Sequence, residues 1–357
     1  MKKILFAAVA ALFMFTSCNK DVNTNEPTTG ETQSVYVKIS SGVNSKAVGN
    51  AVGATRPAKF NNGFLVFTGN SGMISKVVGI PAQVTVAELE AGHSITGVPD
   101  YSNEVYVFAN VPSGLSIPST GNISAVRALV ATVNSQVDLT TPVDNIALYG
   151  TSSITSGAAS ITVAPIAARI EIPAFNLAPG SAITSYRVEG IFINRYYPNS
   201  TLDGKISGAN VNNGDLAAGY IGNAAPYVAG FPLFDYNTSG IGQLTSTTYA
   251  PATAGNVWYY NVMAPSDATV APTIIVRLTN IVATGITLAD PQFLTIKLND
   301  GTSTITKLEA GKAYNFGLTN LAFDETNLTP NPEVNTMDIT CNISIIDWST
   351  VTVTPEM

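Results

Sequence analysis

The chain has 357 residues, 45% of them hydrophobic and only 11% charged, with a formal net charge of −7. Apolar material is ample for ordinary cores, while an acidic, charge-poor surface excludes the basic face that nucleic acid requires. One histidine, His93, and two cysteines, Cys18 and Cys341, leave little with which to build a histidine-based metal site or a disulfide framework.

The first residues read MKKILFAAVAALFMFTSC. Lys2 and Lys3 precede an apolar run from Ile4 to Phe15, then Thr16, Ser17 and Cys18. This is a charged region followed by a hydrophobic stretch too short to span a bilayer, so residues 1–17 are expected to be a signal peptide. A cysteine directly after the run resembles a bacterial lipoprotein cleavage site. That resemblance implies cutting before Cys18, acylation of its thiol (palmitate), and an exported protein anchored at first to the outer membrane. Residues 18–33 are polar and read as a tether.

Residues 34–60, SVYVKISSGVNSKAVGNAVGATRPAKF, open as a strand. Val35, Val37 and Ile39 alternate with Tyr36 and Lys38 over 34–40, the pattern of a half-buried strand. Small residues seeded with Lys46 and Arg56 follow. Short apolar or alternating runs then recur, each bounded by Gly, Pro, Asn, Asp or Ser: NGFLVFTG, EVYVFANV, NIALYG, ASITVAPIAARIEI, SYRVEGIFINRYY, VWYYNVMAP, PTIIVRLTNI and QFLTIKL. TGNSGM reads as a hairpin turn. SAVRALVATVNSQV is expected to be a short helix capped by Ser124, with Val126, Leu129, Val130 and Val133 on one face. The chain is therefore mostly β, of the β-sandwich kind. With the 17-residue leader removed, 340 residues remain (357 − 17), which suits two domains. The connector NLAPGSAIT, 176–184, places the boundary between 34–179 and 180–357.

Nothing in the pattern points to catalysis. His93 reads as a loop histidine, and Cys341 lies mid-strand on an apolar face. The carboxylates Asp100, Glu104, Glu189 and Asp347 show no pairing of the kind glycosidases need. No Gly-rich phosphate loop follows a strand. Asp300 and Gly301 in LNDGTST fit a hairpin without calcium. The expectation is no enzyme, no cofactor and no metal. Trp258, Tyr259, Tyr260, Tyr196 and Tyr197 would be the platform of an alternative, a surface glycan-binding lipoprotein.

The last segment, MDITCNISIIDWSTVTVTPEM, places Met337, Ile339, Cys341, Ile343 and Ile345 on one face. After Ile346 the phase changes, and Trp348, Val351 and Val353 continue a second piece. An apolar strand of this kind needs a partner edge, in its own sheet or in another molecule.

In order, the lipoprotein-type start, the first strand with its Arg-bearing loop, FNNGFLVFTGNSG, EVYVFANVP, NIALYG, APIAARIEI, LEAGKAYNFGLTNL and IIDWSTVTVTP resemble the fimbrillin family, the pilus subunits of Bacteroidales bacteria. The resemblance implies two transthyretin-like β-sandwich domains, the N-terminal one carrying the short helix. It implies export as a lipoprotein, then cleavage by a trypsin-like protease at an arginine after the first strand. Loss of that strand, with Val35, Val37 and Ile39, opens a groove that a strand from 337–357 of the next copy fills. Ile343, Ile345, Trp348, Val351 and Val353 are the donor candidates. Arg56, the only arginine between Cys18 and Arg127, matches the cleavage position, although Pro57 follows it; Lys46 is the alternative. The implied role is a stalk subunit of a cell-surface fimbrium, serving adhesion and biofilm formation. Its implied partners are further copies head-to-tail, with anchor and tip subunits. An anchor or tip accessory subunit is the alternative within the family.

Overall fold

In a computed structural model of the chain, residues 30–41, 60–133, 146–211, 233–252, 256–299, 303–316, 321–332 and 344–347 are described. Residues 32–357 form one compact unit. It is mostly β, with two short α-helices among the described residues.

The first group of strands comprises β1 (Thr32–Ser41), β2 (Gly63–Thr68), β3 (Ile74–Ile80), β4 (His93–Pro99), β5 (Glu104–Ala109), β7 (Leu148–Ser153) and β8 (Ala158–Pro165). They form a seven-stranded sheet in the order β3-β2-β5-β7-β8-β1-β4. β2 and β3 are the hairpin that TGNSGM announces. β8 turns the corner: residues 158–163 pair with β1, whereas Ala164 and Pro165 pair with β7. Gly150 permits the close crossing there, since a Cβ would stand 2.4 Å from the Thr162 carbonyl oxygen. The bend brings the ends of the sheet together, and Lys76 Nζ on β3 donates to Thr96 O (2.7 Å) on β4. Val35, Val37 and Ile39 thereby share one core with Leu65, Phe67 and Val107.

Two helices accompany this sheet. α1 (Val86–Ala91) starts at a capping box: Thr85 Oγ1 accepts from Glu88 N, and the Glu88 carboxylate accepts from Thr85 N. α2 (Ile123–Arg127) is shorter than the expected helix, and its cap is Asn122, not Ser124. Val130–Thr132 is a strand, β6, paired with β12 (Asn199–Thr201). β-branched Val130 and Thr132 favour this extended form, and the ladder with β12 outweighs the helical pattern. His93 likewise opens β4, opposite Val37, instead of lying in a loop.

The second group is built of three four-stranded sheets. β16 (Trp258–Met263), β9 (Ala167–Ile172), β19 (Lys312–Asn315) and β21 (Ser344–Asp347) form one in that order. β13 (Phe234–Tyr236), β11 (Ile183–Asn194), β17 (Thr273–Ala283) and β18 (Gln292–Lys297) form the next. β14 (Gln243–Thr245), β15 (Thr248–Ala250), β10 (Phe175–Leu177) and β20 (Ala322–Phe323) form the third. The chain passes from the first group to the second at Pro165–Ala167, upstream of the connector at 176–184, because β9 already pairs with β16 and β19.

Two features bind these layers. Arg127 on α2 meets Asp203, just after β12, through both Nε and Nη2 at 2.8 Å. Beside it Leu202 N donates to Leu129 O and Val133 N to Pro198 O, both at 2.8 Å, so the β6–β12 ribbon joins the two groups. Deep in the second group Tyr260 on β16 donates to Asp235 Oδ2 on β13 at 2.7 Å, tying two sheets together. Burial pushes the Asp235 pKa up, and the Tyr260 hydrogen bond opposes that rise.

A carboxyl whose folded-state pKa is raised favours folding in its protonated form. Its contribution is largest below the unfolded-state value and is lost as pH rises through the folded-state value. The stability of the parent chain relative to Asp235→Asn should therefore rise as pH is lowered from 7 to about 4. Tyr260→Phe leaves the carboxylate without its donor and should cost about 1–3 kcal/mol at pH 7. Urea unfolding of the three chains across pH checks both.

Candidate functional site

The site with most structure behind it is the cleft that β1 occupies. Its inward residues are sealed: Val35, Val37 and Ile39 are each 0–1% exposed. Tyr36 faces outward and Lys38 is half-buried, as strand alternation requires. On one side β1 runs parallel to β8, with Tyr36 opposite Ala158 and Ile39 opposite Ile161. On the other it runs antiparallel to β4, with Val35 opposite Ile95 and Val37 opposite His93. Gln33 Nε2 donates to Asp100 O at 3.1 Å and fastens the start of the strand. Burial of the three aliphatic side chains is worth roughly 1.5–3 kcal/mol each.

β1 therefore fills a slot with two unlike walls. If it left, β8 and β4 would each expose a row of main-chain donors and acceptors, and three apolar pockets would open. A strand can refill such a slot only by supplying backbone groups to both walls and apolar side chains at every second position.

The other expected site residues are distributed as follows. Cys18, Lys46 and Arg56 lie outside the described residues, as do Ile343, Trp348, Val351 and Val353. Ile345 lies on β21, opposite Tyr314 of β19. Among the described residues β21 stands at the edge of its sheet, with β19 as its one partner.

The residues weighed for catalysis, metal or sugar binding are placed as follows. Among the described residues no group of three His, Cys, Asp or Glu side chains could hold a metal ion. Glu104 accepts from Tyr106 Oη at 2.7 Å. Burial, with Glu104 adding to it, pushes the Tyr106 pKa up to about 12. Glu189 pairs with Arg277, and Asp100 stands exposed at a turn. Trp258 packs in the core against Phe175 (centroids 5.7 Å apart) and Tyr249 (6.4 Å). Tyr260, Tyr196 and Tyr197 are buried as well. Tyr259 is half-buried, its ring under the Arg169 guanidinium at 4.0 Å. These aromatics form no exposed platform for a sugar. One open groove, of about 620 Å³, lies beside Asn62, Phe64, Ile80 and Leu115, without a charged residue in its lining.

Sequence patterning missed the buried pair Arg169–Glu171 on β9. Nε lies 2.6 Å from Oε1, and both side chains are 1% exposed. Asn315 Nδ2 donates to Glu171 Oε2 at 2.8 Å. Burial lowers the Arg169 pKa, and Glu171 opposes that. The signal available was opposite charges two residues apart, on the same side of a strand.

The fold is one already seen in solved structures. Two "putative cell adhesion proteins" share it. The one from Parabacteroides distasonis aligns with a TM-score of 0.54 at 16% identity, over 90% of this chain and 98% of its own. The one from Bacteroides eggerthii aligns with a TM-score of 0.52 at 16% identity, over 91% and 98%. A fimbrilin from Porphyromonas gingivalis aligns over 90% and 98% at 14% identity, with a TM-score of 0.49. No family model matches the sequence, and no curated protein does.

Val37 tests the slot without touching the rest. Val37→Ala should cost roughly 2 kcal/mol through lost burial and the space left behind. Lys38→Ala, on the outer face, should stay within about 0.5 kcal/mol. Chemical denaturation of the intact chain compares them.

Proposed function

We propose that this chain is a structural subunit of a surface fimbrium, and specifically a stalk subunit that polymerises by strand exchange. The observation that carries the reading is the double-walled slot: a strand near the N-terminus, apolar at every inward position, is held between β8 and β4. In this reading export proceeds through lipidated Cys18 at the outer membrane. A trypsin-like protease then cuts after Arg56, or after Lys46, and β1 departs. Residues 337–357 of the next copy enter the slot, with Ile343, Ile345, Trp348, Val351 and Val353 as the apolar candidates.

Three features support it. The adhesion proteins that share the fold point to a role at the cell surface. β21 has a single ladder among the described residues, so detaching it breaks one set of sheet hydrogen bonds. β21 and the slot belong to different sheets, so a join between copies would be heterologous and head-to-tail, the kind of contact that gives a filament when it does not close. Anchor and tip subunits would occupy the ends of that filament.

A chain ending at residue 336 retains the slot and lacks the donor. It should form no heat-sensitive ladder on an unheated gel when matured alone. Mixed with the full chain, it should shorten the ladder by ending filaments on the donor side. A ladder of normal length from the shortened chain alone would rule the reading out.

A further inference from the structure

β4 has one sheet partner among the described residues, and that partner is β1. The outward face of β1 carries Tyr36, opposite Ser94. Its side chain reaches over the end of α1, where Tyr36 Oη donates a long hydrogen bond to Ala91 O at 3.4 Å. The phenol lies directly against Gly92. A Cβ at that position would sit 1.8 Å from the Tyr36 hydroxyl and 2.3 Å from its ring carbon. Gly92 has φ 95°, which glycine tolerates and other residues resist. It also ends the helix, its N–H donating to Leu89 O. The capping box at Thr85 and the buried Leu89 hold α1 in place. The notch is thus a fixed feature: a helix end without a side chain, filled by one long side chain from β1.

We infer that Tyr36 in the Gly92 notch is a latch that retains the resident first strand and that an incoming strand formed by 337–345 does not use. The inference rests on the strand exchange proposed above. In the first of the two pieces, 337–345, the register that turns Met337, Ile339, Cys341, Ile343 and Ile345 inward places short side chains outward. These are Asp338, Thr340, Asn342 and Ser344. None has the length of tyrosine, so none can bridge from the strand to the helix end. The notch therefore adds to the hold on β1 before maturation and adds nothing to the hold on its replacement. Because β4 depends on β1 for its ladder, the latch also steadies α1 and β4.

The first test needs no polymerisation. In the full chain, Tyr36→Ala should speed hydrogen exchange of the β1 and β4 amides about fivefold, the effect of losing one cross-strand contact and its hydrogen bond. Exchange in β5 and β7 should not change. Tyr36→Phe, which keeps the ring, should stay within about twofold of the parent. Unchanged exchange in β1, or an equal rise in β5 and β7, overturns the latch. The second test nicks the full chain with trypsin within residues 42–59 and adds excess synthetic peptide 337–345. Mass spectrometry should show the β1 fragment leaving the Tyr36→Ala chain about fivefold faster than the parent. Equal release from both also overturns the latch. If the peptide displaces nothing from either chain, strand exchange is what fails, and the hydrogen-exchange rates alone decide the latch.

Discussion

β1 makes two ladders at once, parallel with β8 and antiparallel with β4, while its inward side chains close the core. The two ladders have different consequences. β8 also pairs with β7 and keeps its place in the sheet through that contact. β4 has β1 alone among the described residues, so the order of 93–99 depends on whatever strand lies beside it. Whether the occupant is the chain's own first strand or one from a neighbour, the requirement is the same: main-chain groups on both edges and an apolar residue at every second position. A constraint that specifies only backbone and alternation is one that a second sequence can meet.

The rest of the unit supplies a frame around that slot. The β6–β12 ribbon and the Arg127–Asp203 pair join the first group of sheets to the second. β8 leads directly into β9, so the slot wall and the sheet holding β21 are consecutive in the chain. Inside the second group, Tyr260–Asp235 and Arg169–Glu171 fix how layers and strands meet. Buried polar pairs of this sort are costly to break singly, because the partner left behind stays desolvated.

Much of this was legible in the residues, and the failures have identifiable causes. The alternation of Val35, Val37 and Ile39 predicts their burial because a strand with one buried face has no other way to arrange them. TGNSGM predicts the β2–β3 hairpin through turn chemistry. α1 gives little periodic signal although Thr85 and Glu88 spell a capping box, since the helix is only six residues long and has one buried side chain, Leu89. The segment 130–132 reads as helical by spacing, yet its partner lies at 199–201, a pairing that local pattern does not encode. ASITVAPIAARIEI reads as one run because apolar continuity says nothing about which sheet a strand joins. Pro165 marks the change, and β9 beyond it belongs to the second group. The Gly92 notch was likewise invisible, because it depends on a tyrosine 56 positions earlier in the chain.

The central claim is that β1 is a temporary occupant of its slot. The most direct measurement is the N-terminal residue of the chain in assembled surface material, read by mass spectrometry. The account predicts a start at Pro57 or Ala47, with β1 gone. Assembled material whose chains still begin at a lipidated Cys18 and retain β1 would contradict it.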